Sequence, residues 1–223
     1  MNLAKSFEFF DPGMCKDKVH IIGCGSVGST VAELLARFGI ENVALYDFDV
    51  VEAHNLANQM FTEENIGKAK AESVYERWIQ INPEAKNKIE IYPEGWNGQR
   101  LAGYVFLCVD NIDLRRKIVE ANKYNDNIKA MFDFRTSLDT AQHYAADWSK
   151  DDDIKAFLET MDFTHEEAEQ NTPMSACHVS LCVAPTVWSV AQNGVVNFVN
   201  FVKTKTLERA VISRPFAFDN IVV

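Results

Sequence analysis

Short, fully apolar runs alternate along this chain with longer segments whose apolar residues recur at helical spacing. Residues 18–22 (Lys-Val-His-Ile-Ile) read as a short buried strand. From about Ser26 to Arg37, the residues Val27, Val31, Leu34 and Leu35 share one helical face, and Gly39 supplies a stop, so a helix is predicted there. Asn42 to Tyr46 predicts a second strand and completes a βαβ unit, whose crossover should be right-handed. A second helix is expected over Gly67 to Ile81, ending at Asn82-Pro83, because proline biases the residue before it away from helix. Lys88 to Tyr92 reads as a third strand. Tyr104 to Val109 is a continuous apolar run of the kind buried on both faces of a parallel sheet. Asp110-Asn111 follows at its carboxyl end, then a helix over roughly Ile112 to Lys123. Ala130 to Phe134 and Gln142 to Ala146 predict further strands.

Beyond that point the pattern changes. Asp147 to Ala176 is polar and acidic, with one amphipathic stretch near Ile154 to Met161, and is expected to form an excursion over the sheet. Asp151-Asp152-Asp153 reads as part of a solvated face or mobile loop. Cys182 to Lys203, entered through Ala184-Pro185, predicts a long helix, and the alternating tail from Ala210 to Val223 an edge strand or a docking segment. The expected fold is α/β: a doubly wound, mainly parallel sheet with a Rossmann-like nucleotide-binding half. It would be one domain over 1–223, with a core at 18–146, an acidic crossover loop at 147–176, and a final helix and tail at 177–223.

A chain of 223 residues, 47% of them hydrophobic, can bury a full core. Its 22 Lys and Arg against 32 Asp and Glu give a net charge of −10, which disfavours a nucleic-acid partner. No apolar run reaches membrane-spanning length, and the first residues lack a basic-then-apolar signal pattern. Cys15, Cys24, Cys108, Cys177 and Cys182 are too few for a disulfide framework and contain no Cys-x-x-Cys pair. A reduced, cytoplasmic protein without structural zinc is therefore expected.

The candidate chemistry starts at Gly23-x-Gly25-x-x-Gly28, between an apolar strand and a helix. The first glycine makes the turn, the second lets backbone approach phosphate, and the third lets helix pack on strand, while helix amides point at the anion. Asp47 closes the second strand where an acid can accept hydrogen bonds from both ribose hydroxyls, which fits NAD as well as ATP. Asp49 reads either as a group facing phosphates or a metal, or as a turn cap.

The run Asp47-Phe-Asp49-Val-Val-Glu-x-x-Asn55-Leu-x-x-Gln59, followed by Gly67-Lys-Ala-Lys70-Ala71 and by Val109-Asp110-Asn111 with Arg115, resembles the ThiF/MoeB/HesA family. These are prokaryotic relatives of ubiquitin-activating enzymes, and the likeness extends from about Val19 to Asn122. It implies an adenylyltransferase that uses ATP and magnesium on the C-terminal carboxylate of a small ubiquitin-like or sulfur-carrier protein, often with a Gly-Gly end. It also implies a homodimer. Carried over, Gly25 and Ser26 would cradle phosphates and Asp47 would hold the ribose. Asn55 and Gln59 would meet the nucleotide and triphosphate, Lys70 would sit against the phosphates, and Asp110 would hold magnesium near the α-phosphate. A carboxylate attacking a phosphate meets like-charge repulsion, which a cation and magnesium would screen.

Two positions depart from the family. Asn58 stands where relatives carry arginine, and the leader Met1 to Asp17 contains no arginine. Both remove positive charge, which keeps a second reading open, that of a catalytically weakened nucleotide-binding docking subunit. A relative acting on transfer RNA is disfavoured by the acidic balance, and a plain NAD dehydrogenase leaves Asp49, Asn55, Gln59 and Asp110 unexplained. Cys177, beside His178 and ahead of the last helix, reads either as a thiol able to accept an acyl group or as a small apolar residue. Cys182 and Cys24 read as structural, His20 as packed within its strand, and His54 as exposed. His143 and His165 have no partner spacing that suggests a metal.

Overall fold

The computed structural model describes residues 1–170 and 181–222. Eight strands form a single sheet in the order β3-β2-β1-β4-β5-β6-β7-β8. They are β1 (Val19–Ile22), β2 (Val43–Tyr46), β3 (Ile89–Tyr92), β4 (Gly103–Leu107), β5 (Ile128–Thr136), β6 (Ala141–Asp147), β7 (Ala210–Arg214) and β8 (Asp219–Val222). The pairings from β3 through β5 are parallel and those from β5 to β8 antiparallel. The expected mainly parallel sheet is thus the β3-to-β5 half of a mixed sheet. The tail, expected as an edge strand or a docking segment, folds into the β7–β8 hairpin.

The periodicity of the strands fixes two layers, because successive side chains point to opposite faces. Val19 and Ile21 of β1, Tyr104 and Phe106 of β4, and Ala130, Phe132 and Phe134 of β5 enter one core. Helices α1 (Ser26–Arg37), α2 (Lys70–Ile81) and α6 (Ala184–Thr204) cover that face. Ile22, Val105, Leu107 and Met131 enter the other core, beneath α3 (Ile112–Asn122) and α4 (Asp151–Glu159). With helices on both faces, the parallel half is doubly wound.

The helix expected from Gly67 begins at Lys70. Gly67 has φ +85°, left-handed backbone that glycine adopts readily, and its N–H donates to the Val51 carbonyl at 2.8 Å. Val50 pairs with Ala69 in an isolated antiparallel bridge, so the segment before α2 is tied down as extended chain.

The acidic segment is not a bare loop. As far as Gln170 it forms α4 and α5 (His165–Gln170), and residues 171–176 lie outside the described residues. Asp151, Asp152 and Asp153 occupy the first turn of α4, where carboxylates favour the helix dipole. Asp151 and Asp152 are solvated as expected, but Asp153 is buried and paired with Arg209.

The histidines divide by packing. His54 is exposed, as expected. His20 packs within β1, its Nδ1 2.9 Å from the Tyr46 hydroxyl. His143 is fully buried, with Nδ1 3.0 Å from the Asp133 carbonyl and Nε2 3.0 Å from the Asn197 amide nitrogen. Burial lowers the pKa of both to about 4.

Candidate active site

The carboxyl ends of the central strands open into one cavity of about 520 Å³. Such a position, outside the strand ends of an open α/β sheet, is where ligands bind in this architecture. The glycine turn forms one wall. Gly23 has φ +94°, and a Cβ on it would meet the Cys108 backbone at 2.8 Å, so β1 and β4 can approach only because no side chain is there. A Cβ on Gly28 would lie 1.8 Å from the Gly23 carbonyl oxygen, which requires glycine for the helix to pack on the turn.

Gly25 differs from both. Among the described residues nothing lies within 4 Å of where its Cβ would be, and it lines the cavity with Ser26. It is also the N-cap of α1 and offers no side chain to bond the first-turn amides. Those amides and the positive end of the helix dipole are left to an anion.

Asp47 ties β2 to this turn. Its Oδ2 accepts from the Cys24 N–H at 2.6 Å and its Oδ1 from the Asp49 N–H at 2.8 Å. Burial pushes its pKa up, against the pull of those two hydrogen bonds and of Lys70. Lys70, at the start of α2, is itself buried and donates to Asp49 Oδ2 at 2.8 Å. Asp49 therefore holds the lysine at the cavity wall. Gln59 also lines the cavity, and its buried Oε1 has no hydrogen-bond partner among the described residues.

Asp110 and Asp113 line the wall opposite, at the carboxyl end of β4 and in the first turn of α3. Two lysines, Lys70 and Lys117, face four carboxylates, those of Asp47, Asp49, Asp110 and Asp113. A polyphosphate entering a cavity with that balance needs further positive charge. Among the described residues, no group of three or more His, Cys, Asp or Glu could hold a metal by itself. The donor set suits magnesium, which commonly takes one or two carboxylates and shares the rest of its shell with phosphates and water.

Gly23, Gly25, Ser26, Asp47, Asp49, Gln59, Lys70 and Asp110 are thus brought together in one cavity. Gly28 supports the turn from behind. Asn55 is not among the lining residues; it is buried in a short 3-10 turn where its Oδ1 accepts from the Glu52 N–H at 2.9 Å, closing a capping box. Asn58 directs its amide to the Cys182 carbonyl at 2.9 Å. Cys177 and His178 lie outside the described residues. Cys24 is fully buried and Cys108 largely so at the cavity wall, and burial pushes both thiols up, away from the reactive thiolate.

Sequence reasoning missed the apolar wall of Tyr46, Phe48, Trp96 and Leu114, and it missed Lys117. Trp96 sits in the loop after β3, so its signal was available: it follows the carboxyl end of a parallel strand. It also missed the buried cluster of Arg115, Asp133 and Arg135 behind the Asp110 turn.

Comparison with known proteins gives a consistent picture. A family model described as the ThiF family matches residues 14–220. "Ubiquitin-like modifier-activating enzyme 5" from Drosophila simulans is 33% identical over 149 residues, covering 57% of this chain and 35% of its own length. The enzyme of that name from Culex quinquefasciatus is 29% identical over 134 residues, covering 53% of this chain and 33% of its own. The matches thus span about a third of those relatives. Among solved structures, E. coli MccB crystallised with MccA-N7isoASN superposes with a TM-score of 0.71 at 19% identity, covering 95% of this chain and 66% of that one. E. coli MccB crystallised with ATP gives a TM-score of 0.69 at 19% identity, covering 94% and 64%.

Proposed function

The chain belongs to the ThiF family, and on that premise we propose that it adenylates the C-terminal carboxylate of a small ubiquitin-like or sulfur-carrier protein, using ATP and magnesium as a homodimer. The observation that carries this reading is the convergence of an uncapped helix N-terminus, Lys70 and the exposed carboxylate of Asp110 on one cavity. The names of the relatives support it: one group activates ubiquitin-like modifiers, and MccB was crystallised with ATP and with MccA-N7isoASN.

In this reading the Gly25 and Ser26 amides receive phosphate oxygens and the α1 dipole favours their charge. Asp47 keeps lone pairs for the ribose hydroxyls after serving the Cys24 and Asp49 amides. Lys70 turns from Asp49 towards the phosphates, and the Gln59 side chain reaches the triphosphate. Asp110 would hold magnesium, which supplies charge neutralisation at the phosphates when bound. A carboxylate oxygen of the partner's C-terminus attacks the α-phosphorus, the bond from that phosphorus to the bridging oxygen breaks, and pyrophosphate leaves with the electron pair. Both reactants are anionic, so the protein's contribution is positioning together with screening of that repulsion.

ATP with magnesium is expected to raise the melting temperature, while NAD at equal concentration is not, since a ligand that binds the folded state stabilises by mass action. A shift with NAD and none with ATP would reject the reading. A second reading, a nucleotide-binding docking subunit, is favoured by one observation: Asn58, where relatives carry arginine, gives its amide to the Cys182 carbonyl and adds no charge. ATP binding without pyrophosphate exchange in the presence of a carrier would select it.

A further inference from the structure

We propose that Arg115 is a positioning residue for Asp110, fixed in that role by a chain of contacts that reaches the α4–α5 junction. The inference rests on the reading of Asp110 as the magnesium-holding carboxylate. Among the described residues, the Asp110 side chain has no hydrogen bond of its own, although its neighbour Asn111 caps α3 by accepting from the Leu114 N–H at 2.9 Å. What fixes Asp110 is therefore its backbone. Arg115, one turn into α3 and buried, donates through one guanidinium nitrogen to the Val109 carbonyl, which belongs to the peptide that supplies Asp110 its nitrogen.

The other arm of Arg115 donates to Asp133 Oδ1 on β5, a carboxylate with 0% exposure. Arg135 holds the second oxygen through Nε at 2.6 Å. It also donates to the Thr160 carbonyl at 2.6 Å and to the Thr160 hydroxyl at 2.9 Å, and its guanidinium stacks over Tyr144 at 4.6 Å. Arg116 reaches the same junction, donating to the Met161 and Phe163 carbonyls. Burial alone would raise the Asp133 pKa, but the two arginines hold it below the ordinary carboxylate value, so the anchor stays charged. A planar guanidinium can serve a carbonyl and a carboxylate in two fixed directions at once, which an ammonium on a flexible stem does poorly. A buried ion cluster is weak grounds for a stability role by itself. Its connection to the peptide before Asp110 gives it a positional one.

None of Arg115, Asp133, Arg135 or Thr160 lines the cavity, so none touches nucleotide directly. The test is a magnesium titration of ATP binding by calorimetry on the full chain, comparing wild type, Asp110→Asn, Arg115→Met, Arg115→Lys and Thr160→Val. Loss of outer partners of a metal ligand weakens metal binding by roughly 10–100-fold. Arg115→Met should raise the magnesium concentration for half-maximal effect by about tenfold, with ATP affinity in the absence of magnesium unchanged. Arg115→Lys should fall between it and wild type, and Thr160→Val should shift it in the same direction by less. Asp133 keeps Arg135 in the methionine variant; should that variant not fold, the lysine and Thr160 variants carry the same comparison. A wild-type magnesium requirement in folded Arg115 variants, with a changed one in Asp110→Asn, overturns the positioning role alone. No change in Asp110→Asn overturns the metal assignment, and this inference with it.

Discussion

His143 gives the chain an acid sensitivity whose size can be worked from its surroundings. Its Nδ1 lies against the Asp133 carbonyl, which only accepts, so that nitrogen carries the proton. Its Nε2 meets the Asn197 amide nitrogen, a donor. Asn197 cannot turn over to accept instead, because its Oδ1 already takes the Glu208 N–H at 2.9 Å and its Nδ2 also donates to the Glu208 carbonyl at 2.8 Å. A second proton on the ring would face a donor in a fully buried site, and the pKa falls from 6.5 to about 4.

The sign follows directly. Above the unfolded value both states are neutral and the histidine is without effect. Between 6.5 and 4 the unfolded chain binds a proton that the folded chain refuses, so stability falls as pH falls. At pH 5.5 the difference is about 1 kcal/mol, and below the folded value it reaches roughly 3 kcal/mol. His20, also lowered to about 4, adds a similar amount. Urea unfolding of wild type and His143→Gln at pH 7.5 and 5.5 isolates the effect, because other titrations cancel between the two. The wild type should lose about 1 kcal/mol more than the variant over that interval. Equal losses would refute the tautomer assignment and the burial argument together.

The three glycines should separate by function. Gly28→Ala, with its Cβ 1.8 Å from the Gly23 oxygen, should cost more than about 3 kcal/mol in urea unfolding. Gly25→Ala, with none of the described residues within 4 Å of its methyl, should stay within about 1 kcal/mol of wild type yet bind ATP more weakly, because its methyl occupies the phosphate space. Equal stability of the two variants would show that the turn is not built as described. Lys70→Ala should weaken ATP binding by about 2 kcal/mol, the scale of a lost charged hydrogen bond, measured by calorimetry. Unchanged affinity would mean that Asp49 keeps the lysine permanently.

The parallel half of the fold was legible because β1, β2 and β4 are short, largely apolar runs, β3 alternates, and each helix between them has its own apolar face. Gly23, Gly25, Asp47 and Asp110 could be placed for a related reason: they sit at strand ends and a helix start that the local pattern already locates, whereas Lys70 came from the motif around it. What escaped depends on partners distant in sequence. Asp153 reads as solvated until Arg209, 56 residues on, is brought against it. The start of α2 could not be placed from periodicity, since the bridge between Val50 and Ala69 holds the preceding residues extended. Arg115 belonged to a recognisable motif, but its role depends on Asp133 in the next strand and on Thr160 beyond it. Asn55 looked like a ligand by position, whereas its local capping geometry occupies its side-chain oxygen.

In the proposed function this cavity transfers the adenylyl group of ATP to a carboxylate. Exchange of radiolabelled pyrophosphate into ATP reports that step directly, since it requires reversible formation of the acyl adenylate. The full chain with magnesium and a small ubiquitin-like protein ending in Gly-Gly should catalyse exchange. That exchange should vanish when the partner's last two glycines are removed and when Asp110 is replaced by Ala. Exchange that persists in Asp110→Ala, or no exchange with any such partner despite tight ATP binding, would contradict the account.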